Sequence, residues 1–403
     1  MTGVEIDSRR VGPGDLFVAL GGGVAFLDDA RAHGAAATLV PEDGFAAMAA
    51  LGRAVRDRSA ARVVAITGSS GKTSTKDILA ALCSPVARTV AAESGHNNEI
   101  GLPLTLTRIE PDTEIVIAEM GMRGLGQIAE LCTIARPDVA VITSIGPAHL
   151  ELVSTVANVA RAKAEVVASL PVGGVAIVPA GVPELEQVLL RDDIDVRRFG
   201  HGGDAWVESF MPGEHVRVAF FDGQRVELPV PFTVRVQATN LVGALLTYLE
   251  LGLPLARAAE GLAEIVFSPW RCEESPMPGG GLLINDAYNA NPASMRAALE
   301  HLVERAGPRR KVAVLGEMAE LGAEAPRFHE ELGATARTLG VDLVIGVGEL
   351  GRRYGPDEWA PNAAGAVEIA RIVVKPGDTV LVKASRAVGL DVVAEALAEA
   401  TVQ

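Results

Sequence analysis

Residues 63–66 form an uninterrupted apolar run, and a glycine-rich loop follows directly at residues 67–75 (TGSSGKTST). Such a run is typical of a strand buried on both faces of a parallel sheet. Glycines let the loop curl so that its N–H groups point at phosphate oxygens, and the following helix adds partial positive charge. Lys72 would neutralise phosphate oxygens and the Thr73 hydroxyl would bind Mg²⁺. The loop predicts a site for ATP or GTP, although Ile66 replaces the first glycine of the full GxxxxGK[ST] pattern.

Strands alternate with helices along most of the chain. Residues 115–118 and 139–142 repeat the apolar pattern of residues 63–66, and each is followed by a glycine-bearing loop and a helical pattern. This alternation predicts an α/β fold with a doubly wound, mostly parallel central sheet. Residues 204–236 contain short segments of period 2, which predict an added antiparallel sheet. Four more apolar strands predict a second, Rossmann-like unit, at residues 282–284, 312–315, 343–345 and 379–382.

With 403 residues the chain is too long for one ordinary domain of roughly 100–200 residues. We expect three domains: a small N-terminal α/β domain at residues 1–60, a central domain with the glycine-rich loop at 61–267, and a C-terminal domain at 268–403. The loop alone does not distinguish a kinase, a GTPase and a ligase.

Composition excludes several classes of protein. The chain is 49% hydrophobic and 22% charged, as folded globular proteins are, and its net charge of −15 disfavours nonspecific binding of nucleic acid. No apolar run approaches the roughly 18–20 residues of a membrane span, and the N-terminus lacks the apolar core of a signal peptide. Three well-separated cysteines suit a reducing compartment, so we expect a cytoplasmic protein.

Three polar residues are candidates for the chemistry. Glu119 follows the strand at 115–118, at the sheet edge where α/β proteins hold ligands, and a carboxylate suits Mg²⁺. His149 follows the strand at 139–142 on the same edge, although a lone histidine is more often a partly buried hydrogen-bonding residue. Lys163 lies in a helical pattern. Because the chain has only six lysines and uses arginine as its default surface cation, Lys163 is not well explained as a surface residue.

Six further segments accompany the loop in order along the chain. They are SGHNNEIGLPLT (94–105), AEMG (118–121), SIGPAHLE (144–151), DAYNANPASM (286–295), LGEMAELG (315–322) and VKASR (382–386). With the loop, they resemble the Mur ligases, the ATP-dependent amide-forming enzymes of peptidoglycan precursor synthesis. The resemblance covers nearly the whole chain, and the segment at 286–295 is the most specific.

The resemblance implies a particular reaction. Within the family, these segments are most similar to those of the member that joins D-alanyl-D-alanine to UDP-N-acetylmuramoyl-tripeptide through an acyl phosphate. ATP and two Mg²⁺ ions are the implied cofactors, and the two substrates are the implied partners, with no nucleic acid and no membrane segment. The N-terminal domain would hold the UDP-sugar, the central domain ATP, and the C-terminal domain both nucleotide and dipeptide. We expect a cytoplasmic monomer.

The resemblance also implies roles for individual residues. The expected catalytic residues are Lys72, Lys163, His149 and Asn97. The expected nucleotide-binding residues are Gly68, Ser69, Ser70, Gly71, Lys72, Thr73, Ser74, Asn240, Arg271, Asp286 and Tyr288. The expected substrate-binding residues are Ser8, Arg9, Asn98, Asn289, Asn291, Lys383, Ser385 and Arg386. The expected metal ligands are Thr73, Glu119, His149 and Lys163, the last as a carbamate.

The chain departs from the family pattern at three places. Residues 234–237 read VRVQ where relatives usually have GRHN, and Trp270 stands where relatives often have glycine. The loop at residues 21–26 is shorter than in relatives.

Two alternatives stay open at this point. One is a related ligase with another acceptor, such as folylpolyglutamate synthase or another amino-acid-adding Mur enzyme. The other is a nucleotide-binding regulatory protein without ligase activity.

Overall fold

A computed structural model describes residues 2–399, and its first part is a three-stranded parallel sheet in the order β1-β2-β3. The elements are β1 (Val4–Glu5), β2 (Leu16–Val18), α1 (Leu27–Ala32), β3 (Ala37–Leu39) and α2 (Gly44–Arg56). The two faces of β2 pack separately, because Phe17 clusters with Ala30 of α1 whereas Val18 clusters with Met48 of α2.

The middle of the chain forms a nine-stranded sheet in the order β12-β11-β10-β9-β8-β7-β4-β6-β5. Its parallel strands are β4 (Arg62–Thr67), β5 (Thr89–Ala91), β6 (Ile115–Glu119), β7 (Val139–Ile142), β8 (Val175–Pro179) and β9 (Asp195–Phe199). Its first helices are α3 (Lys72–Cys83), α4 (Gly101–Leu106), α5 (Gln127–Ala135), α6 (Leu150–Val153), α7 (Val156–Ala168) and α8 (Pro183–Glu186). Strand β4 lies between β6 and β7, so the carboxyl ends of these three strands meet at one edge.

The antiparallel strands expected in residues 204–236 are present, but they do not form a separate sheet. They are β10 (Ala205–Met211), β11 (His215–Phe220) and β12 (Arg225–Pro229), and helix α9 (Arg235–Glu250) follows them. Strand β10 joins β9 in parallel through the single pair Ala205–Phe199, so the hairpins extend the central sheet at its edge. The prediction of an added antiparallel sheet is corrected in this respect.

The last part of the chain forms a six-stranded sheet in the order β13-β14-β18-β15-β16-β17, in which only β13 is antiparallel. Its strands are β13 (Glu273–Met277), β14 (Gly281–Asp286), β15 (Lys311–Leu315), β16 (Leu343–Val347), β17 (Glu358–Ala360) and β18 (Thr379–Lys383). Its helices are α10 (Pro292–Ala306), α11 (Ala325–Thr338), α12 (Ala363–Val373) and α13 (Asp391–Glu399). The register pairs Asp286 with Lys383, so the polar ends of two neighbouring strands lie side by side.

Each sheet falls within one of the three residue ranges expected from the sequence, and the predicted apolar strands of the two larger sheets are confirmed. The central and C-terminal parts share a hydrophobic cluster. It contains Leu150 and Val153 of α6 together with Met318 and Leu321, which follow β15. This contact brings the carboxyl edges of the two larger sheets to the same cleft.

Candidate functional site

Two glycines of the loop after β4 are required by the packing around it. Gly68 has a φ of 153° and Gly71 a φ of 83°, which strain most other residues. A Cβ at Gly68 would collide with the Thr143 hydroxyl, and a Cβ at Gly71 would lie 2.8 Å from Asn240 Oδ1. The loop is thus packed between the end of β7 and helix α9.

Serines fasten the same loop to the segment after β7. The Ser69 N–H donates to the Ser144 carbonyl at 2.9 Å, and the Ser70 N–H donates to Ser144 Oγ at 2.9 Å. Helix α3 begins at Lys72, with Thr73 and Ser74 in its first turn, and all three residues line a cavity. A helix start of this kind attracts an anion through its free N–H groups and its dipole.

Glu119 lies at the end of β6 and is almost fully buried. Its Oε2 accepts a hydrogen bond from Thr73 Oγ1 at 2.8 Å, and its Oε1 accepts one from Asn97 Nδ2 at 2.9 Å. The carboxylate and the threonine hydroxyl are hard oxygen donors of the type that Mg²⁺ prefers.

Lys72 of the loop and Lys163 of α7 make no ion pair with a carboxylate among residues 2–399. Lys72 Nζ donates to the Gly68 carbonyl at 2.8 Å, and burial lowers its pKa, with Glu119 opposing the shift and Arg271 adding to it. Lys163 on α7 is 1% exposed, and burial together with the Lys72 cation lowers its pKa well below the usual value. A neutral amine is the form that can react with CO₂, so this environment fits a carbamate.

His149 belongs to the central part of the chain, but its partner belongs to the C-terminal part. Its Nδ1 and Glu320 Oε2 are 2.5 Å apart, and this hydrogen bond lowers the pKa of Glu320. Both residues have a positive φ, 56° for His149 and 64° for Glu320, and the Glu151 N–H donates to the Glu320 carbonyl at 3.1 Å. Because the pair uses Nδ1, the other ring nitrogen stays available to a ligand.

At the carboxyl edge of the C-terminal sheet, Lys383 is held between two acceptors. Its Nζ donates to Asp286 Oδ2 at 2.5 Å and to the Asn289 carbonyl at 2.8 Å, and its side chain is buried. Asp286 Oδ1 also accepts from the Cys272 N–H at 3.2 Å. The pair therefore fixes the loop after β14 against the segment that enters β13.

Two residues of the cleft, Arg271 and Gln237, each carry a buried polar atom without a hydrogen bond within residues 2–399. The Arg271 guanidinium stacks on the Tyr288 ring, 4.0 Å from the ring centroid, and its Nε is buried without a hydrogen bond within residues 2–399. On the opposite wall, the buried Oε1 of Gln237 in α9 also has no hydrogen bond within residues 2–399. The nearby Asn240 is buried as well. Buried polar groups of this kind ordinarily have a partner, so the wall fits a polar ligand such as a nucleoside.

Three predicted binding residues also have structural tasks. Asn98 Oδ1 accepts from the Gly101 N–H at 2.9 Å, at the start of α4. Asn291 caps α10 and donates from Nδ2 to the Ser69 carbonyl at 3.1 Å, which ties the loop to the C-terminal part. Ser385 Oγ accepts from the Ala319 N–H at 2.8 Å.

Most of these residues line two adjoining cavities. The loop cavity, about 270 Å³, is lined by Ser69–Ser74 of the glycine-rich loop and by Glu119, Asn240, Arg271, Asp286 and Lys383 among others. The His149 cavity, about 630 Å³, is lined by Asn98, His149, Glu320, Ser385 and Arg386 among others. Both cavities are lined by Ser69, Lys72, Asn97, Tyr288, Asn289 and Asn291. Lys72 therefore stands at their boundary.

Some predicted residues lie outside both cavities. Lys163 is almost fully buried, near enough to Lys72 for the two cations to repel each other, and it lines neither cavity. Ser8 is buried in a short turn of the N-terminal part, and Arg9 is exposed and paired with Asp7 at 2.6 Å. Within residues 2–399, no group of three or more histidine, cysteine, aspartate and glutamate side chains is arranged to hold a metal ion.

Two family models match the chain in the regions that form this cleft. The Mur ligase middle domain matches residues 66–248, and the Mur ligase glutamate ligase domain matches residues 270–386. This chain is a Mur ligase. The family resemblance of the glycine-rich loop and the six segments is therefore confirmed.

Relatives with a named activity are similar to this chain over nearly its full length. The UDP-N-acetylmuramoyl-tripeptide–D-alanyl-D-alanine ligase of Mycobacterium tuberculosis is 34% identical over 98% of this chain and 91% of its own. The ligase of the same name from Escherichia coli is 32% identical over 98% and 93%. The MurF ligase of Thermotoga maritima, solved in complex with ADP, has a TM-score of 0.85 and 29% identity over 98% and 97%. No helix within residues 2–399 of this Mur ligase is long and apolar enough to cross a membrane.

Two residues of the cleft have no predicted role from the sequence. Glu320 pairs with His149, and Trp270 stacks on Arg386 with 4.2 Å between the guanidinium carbon and the ring centroid. A signal existed for both. Glu320 lies in the LGEMAELG segment that supports the family resemblance, and Trp270 is a departure from the family's glycine.

Proposed function

We propose that this Mur ligase uses ATP to join D-alanyl-D-alanine to the terminal carboxylate of UDP-N-acetylmuramoyl-tripeptide. The observation that carries the proposal is the position of Lys72 at the boundary of the loop cavity and the His149 cavity. A γ-phosphate in one cavity and a carboxylate in the other would meet beside this cation. The names of the full-length relatives support the choice of substrates.

ATP would occupy the loop cavity. Its phosphates would lie on Gly68, Ser69, Ser70, Gly71, Lys72, Thr73 and Ser74, where helix α3 begins. Its nucleoside would lie between Asn240 on one side and Arg271, Asp286 and Tyr288 on the other. On phosphate binding, Lys72 would exchange the Gly68 carbonyl for phosphate oxygens.

Magnesium fits the oxygen donors beside the phosphates. Thr73 and Glu119 would hold one ion, and His149 would hold a second through its free ring nitrogen, with a Lys163 carbamate orienting the set. Bound there, the ions would screen the negative charges of phosphate and carboxylate as they approach. A carbamate on Lys163 would also remove the repulsion that its ammonium exerts on Lys72.

The acceptor carboxylate and the dipeptide would share the His149 cavity. Asn97, Asn98, Asn289 and Asn291 offer uncharged amide groups to the acceptor, although Asn98 and Asn291 also hold the backbone. Arg386 and Ser385 would bind the dipeptide carboxylate. Lys383 lines the loop cavity, so it would act by holding Asp286 in position to bind the nucleoside.

The proposed reaction has two balanced steps. A carboxylate oxygen attacks the γ-phosphorus, the bond to the β-phosphate oxygen breaks, and ADP leaves behind an acyl phosphate. The dipeptide amine then attacks the acyl carbon, the carbon–oxygen bond to phosphate breaks, and the nitrogen loses a proton. Closure of the cleft would exclude water, which would otherwise hydrolyse the acyl phosphate.

The remaining assignments are proposals of the same kind. The N-terminal domain (1–60), with Ser8 and Arg9, would bind the UDP end of the acceptor, the domain at 61–267 would bind ATP, and the domain at 268–403 would bind nucleotide and dipeptide. We also propose a cytoplasmic monomer.

An ADP-release assay tests the proposed function. The acceptor is a UDP-N-acetylmuramoyl-tripeptide with either diaminopimelate or lysine as its third residue. Each acceptor is supplied with ATP and with one of three alternatives: D-alanyl-D-alanine, a single amino acid, or glutamate. We expect ADP release that depends on D-alanyl-D-alanine. Release that depends on glutamate with a folate acceptor would establish the folylpolyglutamate alternative, and ATP binding without any acceptor-dependent ADP would favour a regulatory protein.

A further inference from the structure

Trp270 occupies a backbone conformation that suits glycine. Its φ is 60°, and the nearby Cys272 has a φ of 53°, so the segment between the central and C-terminal parts is strained at two non-glycine residues. The segment is nevertheless held firmly. The Trp270 N–H donates to Glu273 Oε2 at 3.2 Å, and its carbonyl accepts from the Tyr288 N–H at 3.3 Å. Because this backbone conformation disfavours tryptophan, we expect the contacts of the side chain to explain its presence.

The indole of Trp270 covers one face of the Arg386 guanidinium. The guanidinium carbon lies 4.2 Å from the ring centroid, and Asp391 Oδ1 accepts from Arg386 Nη1 at 2.9 Å. The Arg386 side chain is still 52% exposed, and it lines the His149 cavity. The ring and the carboxylate therefore restrain an arginine whose remaining N–H groups are available to a ligand.

We propose that Trp270 is a positioning residue, which holds the Arg386 guanidinium in the plane that binds the carboxylate of the incoming dipeptide. The proposal rests on the proposed function, because it assigns that carboxylate to Arg386. A planar guanidinium binds a carboxylate through two parallel hydrogen bonds, so its orientation determines how well both form. An arginine that is already stacked loses less side-chain freedom on binding.

The size of the effect follows from the exposure of the pair. A cation–π contact at an exposed site contributes about 0.5–1 kcal/mol, which is about a two- to fivefold change in an equilibrium constant. Removal of the ring should therefore raise the KM for D-alanyl-D-alanine by about that factor. The kcat and the KM for ATP should stay unchanged, because the indole lines neither cavity.

Substitution of Trp270 by glycine separates positioning from simple packing. Glycine relieves the strain at a φ of 60°, so W270G should unfold at the same temperature as the parent chain or higher. A residue that served only packing would lower that temperature instead. W270F keeps an aromatic face and should retain most of the affinity for the dipeptide, whereas W270L should raise the KM for the dipeptide as W270G does.

Trp359 provides a matched control in the same domain. It also stacks on an arginine, Arg352, at 3.4 Å from the ring centroid, but neither residue lines either cavity. W359A should lower the unfolding temperature and leave the KM for the dipeptide unchanged. In the background of R386A, W270G should cause no further rise in KM, because the indole acts through that guanidinium.

The experiment is steady-state ADP release with varied D-alanyl-D-alanine, together with thermal unfolding of each variant. A selective rise in the dipeptide KM for W270G and W270L, absent in the R386A background, supports the proposal. An unchanged KM in W270G, or an equal rise with and without Arg386, overturns it. If the parent chain releases no ADP with D-alanyl-D-alanine, the proposed function itself fails, and the positioning role fails with it.

Discussion

Glu274 is expected to hold the central and C-terminal parts together beside the loop cavity. Its carboxylate accepts hydrogen bonds from Thr233 Oγ1 at 2.6 Å, from His301 Nε2 at 2.9 Å, and from Arg305 Nε and Nη2 at 2.9 Å each. Thr233 lies two residues before the start of α9, and the other two donors lie on α10. Replacement of Glu274 by glutamine removes the charge that all three donors share.

The magnitude can be worked from the pKa of this carboxyl. Burial by itself would raise the pKa of Glu274, but hydrogen bonds from His301, Arg305 and Thr233 outweigh it and lower the pKa from 4.5 to about 2. At about 1.4 kcal/mol per pKa unit, the shift corresponds to about 3 kcal/mol. Because the side chains of Glu274 and Arg305 are 18% and 33% exposed, solvent screening reduces this, and we expect E274Q to cost about 1–2 kcal/mol.

The pH dependence has a definite sign. A carboxyl whose pKa is lowered on folding stabilises the folded chain while it is ionised. The contribution of Glu274 should therefore be complete above about pH 4.5 and should disappear as the pH falls towards 2. The difference in unfolding free energy between the parent chain and E274Q should be constant from pH 7 to 5 and should shrink below that.

Urea unfolding at a series of pH values from 7 to 3 measures this difference. E304Q is the control, because Glu304 also spans the α9–α10 interface, as an exposed pair with Arg235 at 3.4 Å, and should cost less than about 0.5 kcal/mol. An E274Q cost equal to that of E304Q, or a difference that persists unchanged down to pH 3, would refute the reasoning.

Three further predictions concern the cleft itself. K72A should lower kcat by about 100- to 1,000-fold without loss of the folded state, because within residues 2–399 the Lys72 ammonium donates a hydrogen bond to its own loop alone; ADP release and thermal unfolding would check the two outcomes. K163A should lose turnover that short carboxylic acids partly restore by occupying the carbamate position; full activity of the variant without them would contradict the role. E320A should free His149 and thereby raise the Mg²⁺ concentration for half-maximal activity by about tenfold. Mn²⁺ binding, measured by electron paramagnetic resonance, should weaken in parallel. Substitution of the exposed Glu324 in E324A is the control.

The sequence predicts the central edge of the cleft well because parallel strands deliver their carboxyl ends to one side. Strands β4 and β6 are parallel neighbours that end at the same edge of the sheet. Their pairing alone therefore brings Glu119, at the end of β6, next to the loop after β4. The same logic places Asp286 and Lys383 together at the ends of β14 and β18.

Contacts between distant segments are not predictable in the same way. His149 and Glu320 are 171 residues apart, and their pairing depends on how two domains pack, which no local periodicity encodes. The attachment of the antiparallel hairpins rests on the single pair Ala205–Phe199, and β13 contains a proline and no apolar alternation, so its presence depends on pairing with β14. The stack of Trp270 on Arg386 likewise requires the folded cleft.

The central claim is that the carboxylate of one substrate is phosphorylated in the space beside Lys72. Transfer of ¹⁸O tests it most directly: the acceptor tripeptide is labelled in its terminal carboxylate and converted with ATP and D-alanyl-D-alanine. We predict that one ¹⁸O atom from the carboxylate appears in the released phosphate for each amide bond formed. Product formation with unlabelled phosphate would contradict an acyl phosphate and the account of the cleft that is built on it.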